Sequence, residues 1–114
     1  MASLTTGVID NTAVSGVRPS TTLSVLISND DITSASIQIE GFFQSGSTKV
    51  QYVQELFLLP AGGVASRNYN VQFDAFEFQF IVSSSAVNVS AWGKDSAGNL
   101  TTAQRLVAQE VNPF

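Results

Sequence analysis

From Ala75 to Val82 the chain alternates strictly. Phe76, Phe78, Phe80 and Val82 fall on one side, and Glu77, Gln79 and Ile81 on the other. A period of two describes a β-strand with one buried face. Four of the eight Phe residues, Phe73, Phe76, Phe78 and Phe80, lie in the stretch Asn70–Ser83. Each aromatic side chain buries about 150–250 Å², so any fold must lay a second apolar surface over this row. Phe76, Phe78 and Phe80 are therefore expected inside, and Glu77 and Gln79 outside.

The same alternation recurs on both sides of that strand. Thr21–Asn29 places Leu23, Val25 and Ile27 on one face and ends in Asn29-Asp30-Asp31, a turn in which Asn and Asp bond their own backbone. The two adjacent Asp lack the ligand spacing of a calcium loop. Ser34–Gln44 alternates Ile37, Ile39, Gly41 and Phe43 against Ser36, Gln38, Glu40 and Phe42, and Ser45-Gly46-Ser47 closes a hairpin onto Lys49–Leu59. The run Leu56–Leu59 is apolar on both faces, which predicts either two-sided burial or a partner. A turn at Pro60–Gly63 leads to Ala65–Phe73, with Tyr69, Val71 and Phe73 on one face. Ala86–Lys94 directs Val87, Val89 and Ala91 inward with Trp92 opposite. After a turn over Lys94–Asn99, Leu100–Val111 is expected to be the last strand. Helix competes over Thr102–Val111, where Ala, Gln, Arg and Leu favour it, but every flanking element reads as β.

The first 17 residues differ. Leu4, Val8, Ile9, Val14 and Val17 are strand-like, yet Gly7, Asp10-Asn11 and Gly16 interrupt them. Arg18-Pro19 then breaks the chain, because Pro cannot donate to a ladder and restricts the residue before it. The pattern predicts an all-β chain: an antiparallel β-sandwich, jelly-roll or immunoglobulin-like Greek key, over residues 20–114, preceded by an extended N-terminal arm over residues 1–19. The Phe row would be enclosed by two sheets, with Ile37, Ile39 and Phe43 facing it. Extended, residues 1–17 reach about 55 Å, further than a body with a radius of gyration of about 13 Å. Such an arm is a candidate donor strand, with Leu4, Val8, Ile9, Val14 and Val17 as subunit-interface anchors and Arg18 and Pro19 as the hinge.

Composition narrows the function. At 114 residues the chain is one domain. Its five Lys and Arg are scattered and its net charge is −4, so there is no basic patch for nucleic acid. No apolar run approaches the ~20 residues needed for membrane insertion. The N-terminal MASLTTGVIDN has neither the Lys/Arg nor the apolar segment of a secretory signal peptide. His and Cys are both absent, which removes Ser-His-Asp and Cys-His nucleophiles, disulfides and the usual zinc sites. The acidic residues lie singly in alternation or in turns. No enzyme, metal or cofactor is expected, and Trp92 beside Lys94 and Asp95 reads as core or edge packing.

Two resemblances attach to these residues. Val87–Leu100, VNVSAWGKDSAGNL, looks like the late strands and AGN turn of bacterial immunoglobulin-like repeats, which implies a binding module, immunoglobulin-like or carbohydrate-binding, within a surface protein. The second resemblance rests on the whole layout: a short Cys-free β-domain with a Thr-rich arm, a Phe-rich central strand and the ending WGKDSAGNLTTAQRLVAQEV. That layout resembles the small subunits of fibrillar endospore appendages, pilus-like fibres on spores of Gram-positive bacteria. It implies a structural subunit whose N-terminal strand completes a neighbour's sheet. The partners would be copies of itself in a helical homopolymer, together with a spore-surface anchor protein. The location would be extracellular, in a fibre attached to the exosporium, after synthesis in a mother cell without a signal peptide. The cysteines of disulfide-linked spore appendages are missing, so covalent cross-linking is not implied. Physics points the same way: a donated strand adds main-chain hydrogen bonds to a sheet edge, and a contact between unlike surfaces, repeated without closure, makes a filament.

Overall fold

The computed structural model describes residues 2–104 and 107–108. Ten strands follow in order: β1 (Ala2–Thr5), β2 (Ile9–Asp10), β3 (Thr22–Asn29), β4 (Ala35–Ser45), β5 (Thr48–Leu59), β6 (Val64–Asn70), β7 (Ala75–Val82), β8 (Val87–Lys94), β9 (Leu100–Gln104) and β10 (Val107–Ala108). They form two antiparallel sheets. The larger has the order β10-β1-β7-β4-β5, with β2 continuing beside β7; the smaller has the order β6-β3-β8-β9. The fold is an all-β sandwich.

The Phe strand behaves as its alternation requires. Phe76, Phe78, Phe80 and Val82 of β7 are buried, as are Leu23, Val25 and Ile27 of β3 and Val87 and Ala91 of β8. Together they make one core between the sheets. Ile37, Ile39 and Phe43, however, do not face the Phe row. They lie in β4, alongside β7 in the same sheet, with Ile37 opposite Val82, Ile39 opposite Phe80 and Phe43 opposite Phe76. The facing layer comes from the smaller sheet, and Tyr69 of β6 meets the Phe78 ring at 5.0 Å. Alternation tells which face is buried; only strand order tells which layer a strand joins.

Close packing explains Gly41. It lies opposite Phe78, and a Cβ there would sit 2.7 Å from the Phe78 ring. The ladder of β4 with β5 shifts register between Gly41 and Phe42, so that Tyr52 has no partner across the strand. Such a bulge re-aims a side chain. Here it turns Tyr52 inward beside Val53, into an aromatic cluster in which Phe43 stacks on Phe73 at 4.6 Å and Tyr52 meets Phe73 edge-on at 5.0 Å. Burial pushes the Tyr52 hydroxyl up to about 12, and that hydroxyl donates to the Asn70 carbonyl at 2.6 Å.

Three further expectations are corrected or narrowed. Glu77 is buried, at 6% exposure, although it lies on the outer face of β7. Gln79 beside it is half-buried. Neighbouring side chains on that face cover the carboxylate, as described below. Of the two alternatives for Leu56–Leu59, two-sided burial does not hold, and exposure of the kind a partner would cover does: Leu59 is inside, while Leu56 and Leu58 are more than 70% exposed. Over the expected C-terminal strand Leu100–Val111 the described residues fall in different sheets, β9 beside β8 and β10 beside β1; residues 105–106 and 109–111 lie outside those described. No helix occurs among the described residues.

Candidate functional site: the N-terminal arm and its seat

The arm lies along one edge of β7 in its own chain. In β1, Leu4 pairs with Phe80 and Thr5 with Gln79; in β2, Ile9 pairs with Phe76 and Asp10 with Ala75. Between them the chain leaves the ladder but not the strand. The Thr6 N–H donates to the Phe78 carbonyl at 3.0 Å, and the Phe78 N–H donates to the Thr6 hydroxyl at 3.1 Å. Gly7, at φ +67° with open space around its Cα, makes the kink that a side chain would strain.

The predicted anchors divide into two groups. Leu4 and Ile9 are half-buried and pack on the core. Val8, Val14 and Val17 are exposed by 61–71%. Val14 and Val17 bond each other through both main-chain pairs, at 2.8 and 3.0 Å, across a two-residue turn at Ser15-Gly16. That hairpin closes within the arm, just before Arg18-Pro19. The two residues expected to form the hinge also differ from each other. Arg18 donates to the Asn11 carbonyl at 3.1 Å and to the Asp74 carboxylate at 2.7 Å, whereas Pro19 is exposed.

Polar clamps, not apolar anchors, finish the seat. Asn11 is 1% exposed. Its carboxamide donates to the carbonyls of Ser20 and Val71, both at 2.8 Å, and of Phe73 at 3.1 Å, and it accepts from the Ser20 N–H at 2.9 Å. One side chain thus ties the end of β2 to the start of the body and to the segment before β7. In the sequence, Asp10-Asn11 reads only as an interruption. The pairing of Asn11 with carbonyls 60 and more residues away leaves no local signal.

The second clamp is Glu77. Its carboxylate accepts from Thr5 of the arm, from Lys49 of β5 at 2.6 Å and from Gln79 at 3.2 Å. Burial pushes the carboxyl up, but these hydrogen bonds and the Lys49 charge together hold it below its ordinary value. Asp10 is also held low, by hydrogen bonds from the Thr12 hydroxyl and N–H, and is fully exposed.

This arrangement is built for backbone pairing and charge neutralisation. Among the described residues no three acidic side chains converge as a metal site would need, and no helix is long and apolar enough to cross a membrane.

No protein-family model matches the chain, and no curated protein matches it in sequence. Among solved structures it is similar to the Anabaena sensory rhodopsin transducer, with a TM-score of 0.56 at 13% identity over 84% of this chain and 91% of that one. At that identity the likeness is one of fold.

Proposed function

We propose that the chain is a structural, self-assembling fibre subunit that polymerises by exchanging its N-terminal strand. The observation that carries this reading is the way the arm is held. It has a main-chain ladder along β7, two half-buried anchors and polar clamps, and it joins the body through an exposed hairpin. A neighbour's arm can make every one of those contacts, so exchange costs only the linkage and the concentration of neighbours. The connection from Thr12 to Pro19, fully extended, spans about 26 Å, which exceeds the 20 Å shortest extent of the chain. Arm and seat are unlike surfaces, so exchange handed on from one copy to the next, without closing into a ring or a reciprocal pair, builds an open polymer. The copies then form a helical homopolymer, located outside the cell on the spore surface and fixed there by an anchor protein. The subunit is not an enzyme.

The test uses the absence of native cysteine. Ser3 and Ile81 are cross-strand partners, so Ser3→Cys combined with Ile81→Cys forms a bond wherever an arm sits. Fibres seen by negative-stain microscopy are oxidised and then denatured. Exchange yields a ladder of covalent multimers on a non-reducing gel. Fibres that dissolve into internally bridged single chains overturn arm exchange, and the absence of fibres overturns self-assembly.

A further inference from the structure

The outer face of the smaller sheet, which does not carry the arm strands β1 and β2, holds a groove. Across β8, β3 and β6, Trp92, Ser24 and Asn68 form one cross-strand row, and Ser90, Leu26 and Ser66 form the next. Alternation turns both rows away from the core. A register shift between Trp92 and Lys94 sets Leu100 of β9 opposite Lys94. The groove encloses about 310 Å³, at the lower end of the ~300–1,000 Å³ of small-ligand sites.

Its chemistry is two-sided. Trp92 is half-buried, and Leu26 and Leu100 are 46% and 62% exposed, which makes an apolar floor. The Ser24 hydroxyl donates to Asn68 Oδ1 at 2.6 Å. That bond orients the carboxamide and leaves its N–H groups available for a ligand. Lys94 adds a charge. Arg18, Lys49 and Arg67 each hold a carboxylate; among the described residues Lys94 is the one cation that does not.

We propose that this groove binds a saccharide containing a uronic acid. The C–H face of the pyranose stacks on Trp92, as an apolar surface does on an aromatic face. Ring hydroxyls, which donate and accept at once, bond the Asn68 amide and the Ser66 hydroxyl. The ring carboxylate pairs with Lys94. A neutral sugar leaves Lys94 unpaired, and an apolar peptide leaves both Lys94 and Asn68 unsatisfied. Nucleic acid needs a cluster of cations, and the chain carries a net charge of −4.

Trp92 is the only tryptophan, so its emission reports on this groove alone. The full chain is titrated with trigalacturonate and with neutral galactotriose. The uronate should change the emission saturably, more weakly at high ionic strength, and should bind about fivefold more tightly than the neutral sugar. Lys94→Gln should remove that preference while the circular dichroism stays that of wild type. Asn68→Ala should weaken both ligands, and Trp92→Ala, followed by calorimetry, should abolish binding. No saturable change at millimolar saccharide, equal affinity for the two sugars, or an unchanged preference in Lys94→Gln each overturns the proposal. The titration uses the monomeric chain, whose groove lies in the sheet that does not carry β1 and β2.

Discussion

β7 has two flanks, and they are held by different forces. On one side β4 pairs without a break from Ile37–Val82 to Phe43–Phe76. Ile37 and Ile39 are fully buried there, and the Phe78 ring closes over Gly41. On the other side the arm pairs in two short pieces with a gap at Thr6–Val8. Its anchors are half-buried, and its grip comes from the Asn11 carboxamide, the Thr5–Glu77 hydrogen bond and the Arg18–Asp74 ion pair. Apolar burial contributes stability that no local opening can spare. A ladder with polar clamps can open by itself, because water replaces most of what is lost. One edge of the central strand is therefore held by apolar burial, and the other by a short ladder with polar clamps.

The largest expected effect breaks both flanks. Phe78→Ala empties the centre of the core and should cost about 3–5 kcal/mol, read as a lowered denaturation midpoint. Hydrogen exchange should then quicken in β4 and in the arm alike. A midpoint equal to wild type would show that the Phe row is not the shared core.

Asn11→Ala should separate the flanks. It strips partners from the carbonyls of Val71 and Phe73 and from the Ser20 N–H, at about 2 kcal/mol. Amides of β1 and β2 should lose protection while those of β4 keep theirs. Equal loss in both would mean that the arm opens only with the whole sandwich.

The smallest effect is a pH dependence. The folded state holds the Glu77 carboxyl below its ordinary value near 4.5, so it binds its proton less readily than the unfolded chain does. The stability Glu77 contributes is fully present above that ordinary value and is lost as pH falls through the lower folded value. Glu77→Gln should cost about 1 kcal/mol at pH 7. The gap to wild type should shrink as pH falls below 4.5. A constant gap from pH 7 to pH 3 would remove Glu77 from the arm's seat.

The neighbouring pattern of the chain determined a good deal. Period-two alternation marked the buried side of β3, β4, β7 and β8, and Gly and Pro clusters marked the turns, because side-chain direction in a strand is a local property. The arm was set off by its interruptions and by Pro19. What the sequence could not determine was anything fixed by strand order. That Ile37 and Ile39 lie beside the Phe row and not across from it depends on β4 pairing with β7. That Glu77 is buried on a nominally outer face depends on Thr5 and Lys49 arriving from 72 and 28 residues away. Asn11, read locally as an interruption, is a clamp only because Val71 and Phe73 come to it. The groove at Trp92 likewise needs Ser24, Asn68 and Leu100 from three other strands. Alternation is written into each segment by the geometry of the backbone. Register and layer come from long-range pairing, and only the tertiary structure decided them.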